Sequence, residues 1–174
     1  MQLIKPALFL SLAWLLCGFT VQETPAGQPS EERKAQESLP QSHDDMWTMF
    51  GKCPVSLDAE KYTYSIKYTP EVEALMGKVI TVSGFMLPLE STEKFTHFLL
   101  SKRTPTCSYC PPGEPNEVIE VFTKEPMAWD EGIVVITGTM KLTNNPDMGV
   151  FFQLKDSSST NIKPYKAKDE QPKV

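Results

Sequence analysis

The sequence predicts an all-β domain with one short helix. Three observations carry that prediction. Five strand-like runs follow one another over residues 78–155 (KVITVSGFMLP, FTHFLLS, EVIEVF, GIVVITGTMKL and GVFFQLK). They are rich in β-branched and aromatic residues and are bounded by Pro, Gly, Asn and Asp, as strands and their turns are. Finally, Gly84 and Gly138 interrupt the two longest runs, where a strand that must bend sharply places glycine.

The elements follow in order. Met46–Phe50 (MWTMF) is an apolar cluster that can pack onto a barrel. Tyr62–Tyr68 (YTYSIKY) alternates apolar and polar residues as a half-buried strand does. Thr69-Pro70-Glu71 then opens a short helix, with Thr as N-cap, Pro at the first helical position and an acid in the first turn. Val72, Leu75 and Met76 form its apolar face, and Gly77 ends it. The five runs after it suggest a small five-stranded barrel of the OB type, an architecture of ligand-binding modules whose fold does not by itself dictate function.

Outside the barrel, composition changes. Lys5 precedes an uncharged apolar stretch, Ala7–Val21, shorter than the roughly 20 residues of a membrane span, and residues 1–22 read as a secretion signal. Cleavage is expected near Gln22 or after Thr24-Pro25-Ala26. An uncleaved signal or a lipid on Cys17 are the routes to a membrane; Trp14-Leu15-Leu16 before that cysteine disfavours the lipid, because lipoprotein signals want small residues there. Residues 23–45 hold almost no large apolar side chain and read as a disordered linker. The barrel is then expected over 46–156 and a disordered tail over 157–174.

The net charge of −5, with no basic cluster longer than a pair, argues against nucleic acid and against an anionic membrane surface as partner. No phosphate-binding glycine loop, no His-Glu-x-x-His and no Gly-x-Ser-x-Gly is present, and acid–base catalysis has one candidate histidine inside the barrel, His97. Met86, Met127, Met140 and Met148 are scattered along the chain, which weakens a thioether copper site. No enzyme is expected.

One loop concentrates the chemistry: Cys107-Ser-Tyr-Cys110-Pro-Pro-Gly-Glu-Pro-Asn-Glu117. Two thiols three apart close a disulfide, hold a metal or exchange thiols. Thiol–disulfide enzymes place such a pair at a helix start, where the dipole acidifies the first thiol, and Pro111-Pro112-Gly113 cannot be the first turns of a long helix. Zinc takes four ligands as a rule. Cys107 and Cys110 would supply two, with Cys53 and His97 (and His43) as further candidates. An oxidising compartment favours disulfides, and Cys53, Cys107 and Cys110 are an odd set, so one thiol is left over or pairs elsewhere. Otherwise Cys53 is a small buried residue. By strand parity His97 shares a face with Phe95 and Leu99. Asn116 is expected to close the loop through its side chain, and Glu114 and Glu117 to be solvated. Pro111, Pro112, Glu114 and Asn116 would form a recognition surface, since binding residues gather on loops held by rigid scaffolds. Redox, metal and purely structural roles for the thiols stay open.

The series GKVITVSGFMLPLE, FTHFLL and CSYCPPGEPNEVIEV resembles an exported bacterial family described as a domain of unknown function, DUF3299, over about residues 46–155. Tyr109 stands where some members carry a histidine, which weakens transfer of a histidine metal site. The resemblance implies a non-enzymatic accessory or binding role at the envelope, beside a permease-type ABC transporter and linked to a metal such as zinc.

Overall fold

In a computed structural model, residues 31–106 and 112–161 are described. They form α1 (Glu31–Glu37), α2 (Asp45–Phe50), β1 (Val55–Asp58), β2 (Thr63–Ile66), α3 (Pro70–Glu73), β3 (Val79–Pro88) and β4 (Lys94–Ser101). A 3-10 turn (Pro115–Glu117), β5 (Val118–Ala128), β6 (Ile133–Asn145) and β7 (Val150–Ser159) complete the chain.

The last five strands close a barrel in the order β3-β4-β5-β7-β6, with β6 returning to β3. All contacts in this ring are antiparallel except β5 with β7, which run parallel. That is the OB arrangement expected from the sequence. Closure leaves no barrel edge to pair with another chain. Each strand turns one face inward, so Val82, Met86, Phe98, Leu100, Ile119, Val121, Val134, Ile136, Met140 and Leu154 share one core. Met127 lies in the same core, so three of the four scattered methionines are packing residues and Met148 alone of these is exposed.

The α2 cluster lies on the core as expected. Trp47 and Phe50 are buried, Phe50 stacks on Phe152 at 4.6 Å, and the Trp47 indole donates to the Ser83 carbonyl at 2.7 Å. Asp44 caps α2 through the Met46 amide and accepts from the Ser83 amide and hydroxyl, so one carboxylate fixes the helix to β3. Tyr68 packs edge-on against the same Phe152 ring and ties the chain to β6 and β7. Its hydroxyl lies 2.6 Å and 2.9 Å from the Thr143 and Phe151 carbonyls.

Several expectations are corrected. The linker predicted over 23–45 is laid against the barrel from residue 31 on. Gln36 of α1 is buried, and its amide donates to the carbonyls of Thr104 and Pro112; Ser42 donates to the Ser83 carbonyl. A few buried polar side chains anchor this segment, a signal that low hydrophobicity hides. Residues 157–159, assigned to the predicted tail, belong to β7 instead, and Ser157 is buried. The Tyr62–Tyr68 strand, β2, pairs with β1 in a separate two-stranded ribbon. α3 begins as predicted with its Thr69 cap but ends at Glu73 with Ala74 as its C-cap; Leu75, Met76 and Gly77 (φ 76°) follow in a turn, Met76 is exposed, and of Val72, Leu75 and Met76 only Val72 is fully buried. The signal predicted over 1–22, the Cys107/Cys110 pair with Pro111, and residues 162–174 lie outside the described residues.

Gly84 and Gly138 answer to close approach. Neither has a positive φ. A Cβ on Gly84 would stand 2.7 Å from the Ser101 carbonyl, and one on Gly138 would overlap the Ser157 hydroxyl.

Candidate binding groove

The described part of the β4–β5 connection is held by charge. Glu117, buried in the 3-10 turn, accepts from Arg103 at 2.6 Å (Nε) and 3.0 Å (Nη2) and from Lys102 at 3.2 Å. Arg33 of α1 lies 4.0 Å from the same carboxylate and 2.8 Å from Glu114. Burial alone would push the Glu117 carboxyl up; the Arg103 hydrogen bonds and charge outweigh it, so the carboxyl is held below its ordinary value. The expectation that Glu117 is solvated is thereby corrected.

The predicted recognition loop is turned inward over most of its described length. Pro112 is buried and its carbonyl accepts from Gln36 and Ser101. Asn116 donates to the Cys53 carbonyl at 3.0 Å, tying the turn to the end of α2 where a local bond was expected. Glu114 alone of Pro112, Glu114 and Asn116 is classed as exposed, and it pairs with Arg33.

Cys53 is a free, fully buried thiol, as its reading as a small buried residue expects, and its candidate disulfide partners Cys107 and Cys110 lie outside the described residues. His97 lies elsewhere, on the outer face. Its Nε2 is 2.7 Å from a Glu120 oxygen and its ring stacks on Phe122 at 4.4 Å. Gln153 also donates to Glu120, and the Lys155 ammonium sits 3.0 Å from the Phe122 ring centroid. Parity holds for His97 with Leu99 but fails at Phe95, because a register shift between Phe95 and His97 lets Phe95 and Phe98 both point inward. Among the described residues, no three His, Cys, Asp or Glu side chains form a group that could hold a metal ion.

What the elements do build is a groove of about 360 Å³, lined among others by Tyr64, Leu87, Leu89, Leu99, Pro115 and Met148. The β3–β4 loop supplies Leu89, the β6–β7 turn supplies Met148, and Leu99 belongs to β4. The lining is mostly apolar, with the Arg33–Glu114 ion pair among its polar members. Gly149 shapes it. Its φ of 63° suits glycine, and a Cβ there would press on the Tyr64 ring at 3.2 Å and on Pro115 at 3.3 Å. Met148 and Leu89 are 64% and 40% exposed, large apolar side chains presented to solvent by turns. Met148 was legible as an apolar residue inside the turn sequence Asn-Asn-Pro-Asp-Met-Gly; Tyr64 and Leu89 gave no such signal.

The family model described as "Protein of unknown function (DUF3299)" matches residues 25–156. The chain belongs to the DUF3299 family. Its match takes in the described part of the segment before α2 as well as the barrel, in accord with the packing of α1. A crystal structure of a DUF3299 family protein from Pseudomonas aeruginosa PAO1 is similar at 23% sequence identity, with 74% of this chain and 84% of that chain covered and a TM-score of 0.46. No curated protein matches the DUF3299 chain described here.

Proposed function

We propose that the protein is an exported, non-enzymatic binding module that uses the groove between the β3–β4 loop and the β6–β7 turn to hold an apolar segment of an envelope protein. The observation that carries this is the position of an exposed apolar groove between the two loops with which OB barrels grip their ligands. A permease-type transporter component is the partner the family resemblance favours, and zinc at Cys107 and Cys110 is the metal link it allows. A thiol–disulfide enzyme is the second reading. Against it, the described chain from Pro112 makes a three-residue 3-10 turn and enters β5, where a thiol–disulfide enzyme would continue into an α-helix.

Among the described residues, no helix is long and apolar enough to cross a membrane. Export is therefore tested by fractionation and by N-terminal sequencing of the mature protein; a full-length cytoplasmic product would contradict it. The groove is tested by complementation of a gene deletion with Met148→Glu. Met148 is an exposed turn residue, so the account predicts a folded protein that fails to complement. Complementation equal to the unaltered protein would remove the groove from the function.

A further inference from the structure

A second concavity, of about 550 Å³, opens on the other side of Leu87 and Leu89. Phe85, Leu89 and Trp129 line it together with Glu90 and Glu131. Trp129 is 55% exposed, and both acids are exposed. An apolar surface carrying a tryptophan and two carboxylates suits an apolar segment with positive charge.

The sequence holds such a segment. Residues 162–168 read Ile-Lys-Pro-Tyr-Lys-Ala-Lys, three lysines and no acid in a chain of net charge −5. They follow directly on Asn161, whose side chain donates to the Ile133 carbonyl at 2.9 Å and accepts from the Val135 amide at 2.8 Å. Ile133 pairs with Phe85, and Glu131 precedes it by two residues. Two strand spacings thus separate Asn161 from Phe85, about 10 Å. Three extended residues cover about 10 Å. Lys166 and Lys168 can therefore come abreast of Glu131 and Glu90.

We infer that this acidic, tryptophan-bearing groove is the docking site of the chain's own C-terminal segment, residues 162–168. The inference does not rest on the proposed function, which uses the other groove. Docking would keep the Trp129 surface covered until a competing segment of the same chemistry displaced the tail.

The test is native trypsin cleavage of the full chain, read by mass spectrometry at Lys166 and Lys168; Lys163 is followed by Pro164. Glu90→Gln with Glu131→Gln, and separately Trp129→Ala, change exposed residues and should leave the melting temperature in place. Docking predicts cleavage about fivefold or more faster in both variants, since cleavage tracks the open population when opening is fast. Carbodiimide coupling of the unaltered monomer should join tail lysines to Glu90 or Glu131. Equal cleavage rates in all three proteins would overturn the inference. So would coupling that yields only dimers, which would assign the groove to a second copy, or coupling spread evenly over exposed acids such as Glu71 and Glu73.

Discussion

Glu117 shows how a single carboxylate can hold a loop that has little apolar surface of its own. Three cations from two separate segments, Arg33, Lys102 and Arg103, converge on it. Removing one member of a buried pair leaves the others uncompensated, so Glu117→Ala should cost about 3 kcal/mol in denaturant unfolding. The pH dependence follows from the direction of its shift. A carboxyl held below its ordinary value of 4.5 contributes in full above that value, and the contribution is lost as pH falls through the lower folded value. Acid titration of stability should therefore be flatter below about pH 4.5 in Glu117→Ala than in the unaltered protein; identical acid limbs would contradict the assignment. The two strand glycines separate by cause. Gly138→Ala should cost about 1–3 kcal/mol through overlap with the Ser157 hydroxyl. Ser157→Ala should recover part of that cost. Gly84→Ala should show no such rescue from a side-chain change at position 101, because the obstruction is the Ser101 backbone carbonyl.

At the scale of elements, the barrel strands were legible because each is a long apolar run with turn residues on both sides. β1 was not, since Val-Ser-Leu-Asp is short and half polar, and its pairing with β2 includes a Ser56–Ser65 hydroxyl contact at 2.8 Å. The second half of β5 was missed for a related reason: Lys124, Glu125 and Pro126 break the apolar pattern while the backbone continues to Ala128. The inward turn of Phe95, against the parity of His97 and Leu99, depends on a bulge that no residue type announces. α1 was hidden by its composition. Its anchor is Gln36, whose amide serves two carbonyls, with Arg33 beside it. Gln36→Ala should cost about 1–2 kcal/mol by leaving the buried Pro112 carbonyl with one donor fewer. Hydrogen exchange should then show loss of protection in residues 33–42 well before the barrel strands. Uniform loss across the molecule, or none in α1, would mean that the segment is not held through Gln36.

For the whole molecule, closure of the ring by the parallel β5–β7 contact makes the barrel a rigid support without free edges. In the proposed function, recognition falls to what the rim carries. Of the proline-rich loop read as a surface, Pro112 and Glu114 line the groove, while the Pro112 carbonyl and the Asn116 side chain also bond inward and serve the fold. The groove is assembled from residues distant in sequence: the barrel order brings Leu99 and Met148 together, and Tyr64 of the β1–β2 ribbon joins them through its amide, which donates to the Pro146 carbonyl at 2.9 Å. The most direct test places a photo-crosslinking phenylalanine derivative at Met148 in living cells, with the 79%-exposed Tyr62 as the control position. The account predicts a discrete adduct with an envelope protein from position 148 that is absent from position 62 and is lost when Leu99 is changed to Glu in a chain that still folds. The same adducts from both positions, or an adduct at 148 indifferent to Leu99→Glu, would contradict it.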